Sequence, residues 1–378
     1  MRRVAVIGVG LHAYGKFPDK KPKDLAQTAV EGALGSAGIL WKDVGSAFLG
    51  HIGLGMTAGA RLLAPIGQTG LSITNVENAS ASGSYAFRGA YRDVASGEFE
   101  IALALGVDML PKPPPKPART ETEPDKPKPE PRAEKPPTAP MLKFAQDARA
   151  HMQKYGTTLD QLAQVSVKQH YNAARNPYAQ YQEEVTLQQV HAARMVAEPL
   201  TVLHCCPFGD GAAAAILASE DVVRRLDIKH PIWITASVSQ STRAESPELT
   251  DLTAHTAREA YKRAGIQPAD LGLVELHDAA TIEEIQYAES LGLCAEGQGG
   301  KLVEEGATAI SGRIPINTSG GLLAMGHPFG PTGIGQIAEI YWQMRGEAGQ
   351  RQIPRPPHTA LAHMIGMGGT CIVHVLQR

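Results

Sequence analysis

The stretch Asn317-Thr-Ser-Gly-Gly-Leu-Leu-Ala-Met-Gly-His-Pro-Phe-Gly-Pro-Thr-Gly-Ile-Gly335 sets six glycines and two prolines around one histidine, His327. Glycine accepts backbone conformations and close approaches that other residues resist. Such density implies a backbone shaped around a ligand, with an imidazole held inside it. Helical periodicity follows at once, over 333–345. A shorter counterpart lies upstream, where Ser80-Ala-Ser-Gly83 leads into an apolar-faced helix, Ser82–Gly97. Each turn sits inside a similar block. The first has strands at 3–9, 47–49, 72–76, 101–106 and 209–217, with a helix at 23–38. The second has strands at 232–238, 273–277 and within 360–375, with helices at 250–264 and 282–291. Strands alternating with helices, and apolar runs such as Val4-Ala-Val-Ile7, predict an α/β fold with a largely buried sheet. The repetition predicts a duplicated α/β unit, 1–228 and 229–378, with an inserted helical section carrying helices at 141–155, 158–175 and 186–196.

Composition narrows the class. With 378 residues, 43% hydrophobic and 20% charged, the chain can bury a sizeable core and is not globally disordered. Thirty-six basic and 38 acidic residues leave a net charge of −2, which gives no electrostatic case for nucleic acid or an anionic membrane. The four cysteines, Cys205, Cys206, Cys294 and Cys371, form no CxxC or Cys/His zinc spacing, so no metal site is expected. The vicinal pair Cys205–Cys206 reads as two buried thiols. The N-terminal apolar run is too short for a signal region or a membrane span, and a cytoplasmic location is expected. Residues 111–140 hold twelve prolines, five lysines, two arginines and five acidic residues. That segment is expected to be extended and solvated, as a surface insertion or a partner-docking segment.

Three stretches place reactive side chains at element ends. In Val76-Glu-Asn-Ala-Ser-Ala-Ser-Gly83 a strand enters a small-residue turn and then a helix. Ser80 there is either a helix cap or a side chain displayed where backbone N–H groups stabilise a developing anion. Val274-Glu-Leu-His-Asp-Ala279 ends a buried strand at its carboxyl end, the ligand-facing end in open α/β sheets, and His277 is either structural or part of a site. The third stretch is the one around His327.

Together these motifs resemble the thiolase superfamily. NTSGGLLAMGHPFGPTGIGQ is similar to its GHP signature. VELHDAATIEEIQYAESLGLC is similar to the HDxF segment of the sterol-carrier-protein type and related bacterial and archaeal forms. VENASASGSYAFRGAYRDVASGEFEIALALGVDML resembles the nucleophile segment, usually ENACASG. HYNAARNPYAQYQ and ARMVAEPLTVLHCCPFGDGAAAAIL also fit. The resemblance covers the chain outside 111–140. It implies a five-layered αβαβα fold, a covering loop domain at about 107–205, dimerisation through the first half, and coenzyme A thioesters as substrates with no bound cofactor, in lipid metabolism. It implies that His327 activates the acyl-accepting residue and holds the thioester oxygen, and that His277 supports an oxyanion hole. The turn Gly366-Met-Gly-Gly369, with Gly368 and Gly369, supplies backbone N–H groups to the other. Asp278 is expected to orient a neighbour, and Asn317 to lie at the pocket. A small zinc-ribbon/OB-fold protein is an expected partner.

The chain departs from the family where the chemistry is hardest. The acyl-accepting position is Ser80, not Cys. The acid/base cysteine of the HDCF motif is Ala279. The alternative cysteine just before the C-terminal glycines is Met364. The phenylalanine of HDxF is Ala280, which is expected to enlarge the pocket. A serine hydroxyl needs a general base throughout, where a thiol supplies thiolate directly. Three readings follow. One is an acyl-CoA acyltransferase acting on C–C bonds of β-ketoacyl-CoA, with Ser80 as nucleophile. Another is a retro-aldol lyase acting on a β-hydroxyacyl-CoA. The third is a non-catalytic acyl-CoA-binding subunit.

Overall fold

The computed structural model describes residues 2–111 and 136–378. The expectation of an extended segment at 111–140 falls mostly on 112–135, outside the described residues. The first half runs β1 (Val4–Gly15), α1 (Pro22–Ala37), β2 (Ser46–Gly50), α2 (Ala58–Leu63), β3 (Ser72–Val76), α3 (Ser82–Ser96) and β4 (Ile101–Asp108). It continues through α4 (Ala139–Tyr155), α5 (Leu159–Ala173), α6 (Leu187–Ala192), β5 (Met195–Ala197) and β6 (Leu200–Thr201) to β7 (Asp210–Ser219) and α7 (Glu220–Arg225). The second half holds β8 (Ile232–Ser241), α8 (Leu249–Ala264), β9 (Leu273–Glu275), α9 (Thr281–Ser290) and α10 (Gly299–Glu304). It closes with α11 (Phe329–Arg345), β10 (Thr359–Gly366) and β11 (Thr370–Gln377).

The main strands follow the order β3-β2-β4-β7-β1-β8-β11-β10-β9. Read outward from the middle, the first half goes β1-β7-β4-β2-β3. The second goes β8-β11-β10-β9, and Ile316 bridges Val274 in parallel where the counterpart of β3 belongs. The halves therefore repeat one topology and meet where β1 pairs briefly with β8, Ala5 to Trp233 and Val6 to Ile232. Successive residues of each strand face opposite ways, so each half-sheet has two apolar faces to cover. Val4 and Val6 face a core with α3 and α11, while Ala5 and Ile7 face a core with α1. Likewise Ala360 and Ala362 face α11, and Leu361 faces a core with α8. The result is the expected five-layered αβαβα arrangement. Helix α11 is buried almost all round, as a helix in a central layer must be.

The two central helices approach until backbone meets backbone. A Cβ added at Gly83 would collide with the carbonyl oxygen of Gly330. Only glycine fits there, and the contact brings the N-termini of α3 and α11 side by side.

Two sequence expectations are corrected. The helix expected at 186–196 ends at Ala192, and Met195–Ala197 turns into a hairpin with Leu200–Thr201. The Thr201 hydroxyl donates to the Val190 carbonyl at 2.9 Å, taking an acceptor that a longer helix would need. The helix expected from Gly333 starts at Phe329. Pro331 is tolerated because the first turn of a helix has no backbone acceptor for its N–H groups anyway. Among the described residues no helix is long and apolar enough to cross a membrane.

Candidate active site

Ser80 lies two residues ahead of α3, and His327 two residues ahead of α11. The duplicated architecture thus sets one hydroxyl and one imidazole at the positive ends of two helices that pack together. Ser80 is not the cap of α3. Ala81 holds the N-cap position without a side-chain cap, and Ser82 ties the turn before it: its Oγ accepts from Asn78 N at 2.9 Å and donates to Ala79 O at 2.6 Å. Ala79 takes a left-handed φ of 50°, a conformation an alanine adopts only where its surroundings demand it. With the turn held by Ser82, the Ser80 hydroxyl is free to face His327, and its Oγ lies 2.9 Å from His327 Nε2.

The tautomer of His327 follows from its other nitrogen. Nδ1 lies 3.0 Å from Thr332 Oγ1, and that hydroxyl donates its one proton to Pro328 O at 2.5 Å. The hydroxyl can then only accept from Nδ1–H, so the proton sits on Nδ1 and Nε2 keeps its lone pair toward Ser80. Burial and the neighbouring His277 push His327 well below the ordinary histidine range. The ring is therefore neutral near pH 7. A neutral imidazole with its free nitrogen on a serine hydroxyl is the arrangement of a general base.

His277 stands beside it, the two rings perpendicular with centroids 5.7 Å apart. Its Nδ1 lies 3.1 Å from Glu283 Oε2, in the first turn of α9. The same carboxylate accepts from Ala279 N at 2.8 Å and from Tyr287 Oη at 3.0 Å. Asp278 and Asn317 act on the backbone. Asp278 Oδ1 accepts from Leu322 N at 2.7 Å, which ties the His277 segment to the π-helical turn Gly321–Met325 that leads to His327. Burial and Glu284 push the Asp278 carboxyl well above its usual range. Asn317 Oδ1 accepts from Leu276 N at 2.7 Å, next to His277, and Asn317 itself takes a left-handed φ of 55°.

The turn between β10 and β11 comes against the Ser80 turn, since a Cβ at Gly366 would meet Asn78 O at 2.5 Å. Gly368 and Gly369 take φ of 96° and 87°, and the Gly369 N–H closes this turn onto Gly366 O at 3.2 Å. Met364 is buried in an apolar cluster with Ala81, the residue after Ser80, and Ile372. It fills space beside Ser80 with a thioether that has no proton to transfer. Ala279 packs in a cluster with Cys206 and Leu322, against which Phe144 of α4 rests. At Ala280, the position expected to widen the pocket, the side chain packs into the core. It is fully buried in a helical core with Ala145, Ile282 and Leu323, again beside Phe144.

Cys371 offers no replacement thiol. It is buried in the core under α8, with its thiol pushed up to about 12 by burial. Burial and Cys205 also push the Cys206 thiol well above its ordinary range. Among the described residues no group of three or more His, Cys, Asp or Glu side chains could hold a metal ion. Thr332, Glu283 and Phe144 escaped the sequence reading. A hydroxyl five residues past His327 and a carboxylate six past His277, each in a first helical turn, are the signals that could have found the first two. Phe144 meets Ala279 only through the fold.

These helices and turns define a thiolase fold. The family model described as "Thiolase, N-terminal domain" matches residues 4–221, and "Thiolase C-terminal domain-like" matches 235–378. The chain belongs to the thiolase family. It is 41% identical over 389 residues to the acetyl-CoA acetyltransferase of Methanothermobacter thermautotrophicus, covering all of both chains. It is 38% identical to sterol carrier protein 2 of Bos taurus, covering 98% of this chain and 71% of that protein. It is 35% identical to the benzoylsuccinyl-CoA thiolase subunit BbsB of Thauera aromatica, covering 97% of this chain and 95% of that one. Among solved structures, human mitochondrial 3-ketoacyl-CoA thiolase superposes with a TM-score of 0.74 at 17% identity, covering 100% and 98%. The Ltp2-ChsH2(DUF35) aldolase superposes at 0.79 and 23%, covering 99% and 97%. Both likenesses confirm the fold.

Proposed function

We propose that the chain is an acyl-CoA acyltransferase that forms or breaks the C–C bond of a β-ketoacyl-CoA, with Ser80 as the acyl-accepting nucleophile and His327 as its base. The observation that carries this reading is the 2.9 Å approach of Ser80 Oγ to the unprotonated nitrogen of His327. Ser80 attacks the carbonyl carbon while its proton passes to His327 Nε2. Thr332 holds the imidazole in the accepting tautomer throughout. The N-terminus of α3 stabilises the oxyanion that forms above Ser80, and the thiolate of coenzyme A leaves with the proton returned by His327.

The test is intact-mass measurement after incubation with a panel of acyl-CoAs. A covalent acyl adduct on the protein, absent from Ser80→Ala, supports the reading. No adduct on the protein, with one on Ser80→Cys, overturns it and leaves a pocket without its nucleophile. Aldehyde or ketone release from a β-hydroxyacyl-CoA would then mark the lyase, and tight binding without turnover the acyl-CoA-binding subunit. The proposal includes a homodimer formed through the first half. β3 lies at the sheet edge, pairs among the described residues only with β2, and leaves Ser72, Thr74 and Asn75 exposed. It also includes a small zinc-ribbon/OB-fold partner. The Ltp2-ChsH2(DUF35) aldolase, whose fold this chain shares, has two named components, and that pairing supports the expectation.

A further inference from the structure

Carbon–carbon bond chemistry needs a second proton-transfer group besides the base that serves Ser80, and neither family cysteine is present to provide it. Ala279 has no functional group, and Met364 has no proton. The titratable group that stands beside His327 instead is His277. Its Nδ1 lies 3.1 Å from Glu283 Oε2, so in the neutral ring the proton sits on Nδ1 and Nε2 carries the lone pair. In that state His277 cannot donate to an oxyanion. It can accept a proton, and it becomes a donor only after it has done so.

Glu283 is built to keep it there. The carboxylate is buried, its Oε2 is also bound by Ala279 N at 2.8 Å, and its Oε1 by Tyr287 Oη at 3.0 Å. It therefore holds one position, reached from the first turn of α9. The other groups around this pair are His327 at 5.7 Å between ring centroids and Tyr287 at 6.5 Å. Beside burial, Glu283 raises the carboxyl of Asp147 on α4 and the thiols of Cys205 and Cys206, and His277 lowers His363 of β10. No carboxylate but Glu283 is within hydrogen-bond reach of the His277 ring among the described residues. A carboxylate on one imidazole nitrogen orients the ring and stabilises the imidazolium that forms when the other nitrogen takes a proton.

We propose that His277, positioned by Glu283, transfers the proton at the substrate α-carbon, the role a cysteine at 279 or 364 would fill. This rests on the acyltransferase reading given above. In the condensing direction His277 Nε2 takes a proton from the α-carbon of the second acyl-CoA. The freed electron pair attacks the carbonyl carbon of the ester on Ser80, so the C–C bond forms, the C–O bond breaks, and the serine oxygen leaves. The serine oxygen leaves as a hydroxyl, and the proton His277 takes from the α-carbon balances the one Ser80 had lost with the coenzyme A thiol, so no outside acid or base is consumed. In cleavage the same steps run backward, and His277 protonates the departing enolate. The oxyanion support implied by family resemblance comes from the same imidazolium once it exists.

The experiment separates the two half-reactions. The first is acyl-adduct formation, read by intact mass. The second is exchange of the α-protons of acetyl-CoA for deuterium in D2O, read by proton NMR without any turnover. Glu283→Gln keeps an acceptor for Nδ1–H and for Ala279 N but removes the charge. It is expected to form the adduct within about 3-fold of the parent rate and to lose α-exchange by about 30-fold or more. His277→Asn is expected to lose exchange by about 100-fold or more. Melting curves of both variants identify any loss of fold, and adduct formation in the same sample identifies an intact pocket. Equal exchange in Glu283→Gln and the parent overturns the proposal. So does a parallel fall of adduct formation and exchange in a folded variant, or absence of exchange in the parent. Exchange without any adduct on Ser80 refutes the nucleophile assignment and leaves the dyad standing.

Discussion

Thr332→Val tests whether a hydroxyl outside the reacting pair sets the chemistry of Ser80. Valine has the shape of threonine without its hydroxyl, so the first turn of α11 is preserved. What goes is the acceptor 3.0 Å from His327 Nδ1. The ring then has two options. It keeps its proton on Nδ1, which leaves a buried donor unpaired, or it moves the proton to Nε2, which turns an N–H toward Ser80 and ends its service as a base. Either route costs about 1–3 kcal/mol, the penalty for a buried polar group without a partner. If that penalty falls on the step in which Ser80 is acylated, the rate drops about 5- to 150-fold. Rapid-quench intact-mass measurement of adduct formation reads it directly. Thr332→Ser keeps the hydroxyl and is expected to restore most of the rate. An unchanged acylation rate in a Thr332→Val protein with normal melting would refute the tautomer argument, and with it the assignment of His327 as a pre-set base.

Two further outcomes concern the whole molecule. Light scattering of the purified chain is expected to give twice the mass of the monomer. A monomeric parent protein sinks the dimer. Stability is expected to fall as pH drops from 6.5 to 5. Burial holds His204 down to about 4, and His363 and His374 down to about 3. The unfolded chain takes up these protons near 6.5 while the folded one refuses them, so stability present above 6.5 is lost below it, by up to about 2 kcal/mol per histidine at pH 5. Glu275, pushed up to about 8 by burial and Glu339, works in the opposite sense and offsets part of the loss. A flat or rising melting temperature over that range contradicts this balance.

The elements legible in the sequence are those whose signals are local. Apolar runs mark β1, β4 and β7, glycine ends α1, α3 and α8, and the two turns carrying Ser80 and His327 announce themselves by small-residue density. Their pairing does not. That Ser82 rather than Ser80 ties the turn depends on where the Asn78 N–H points, and two serines two residues apart look alike in a sequence. The end of α6 is hidden because the acceptor at Val190 is taken by Thr201, a residue on the far side of a hairpin. Phe144, from a helix far away in sequence, packs against the clusters that hold Ala279 and Ala280, a contact no local pattern shows. Loss of volume at one position and gain at another are visible only once the chain is folded.

The serine at position 80 makes the rest of the site intelligible. An acyl group on serine is an oxoester, more stable than the thioester it came from, so loading from coenzyme A is downhill and return to coenzyme A is uphill. A serine also offers no thiolate, so its base must be neutral and aimed before the substrate arrives. The structure meets that second demand with burial and Thr332, which fix the charge and tautomer of His327 together. The first demand falls on the step that removes the acyl group. A stable ester needs a strong carbon nucleophile to take it, and such a nucleophile exists only if a proton leaves the α-carbon. A cysteine could share that burden with a labile thioester beside it. Here the whole of it rests on the second histidine, and that histidine is the one with a buried carboxylate behind it, 3.1 Å from its Nδ1.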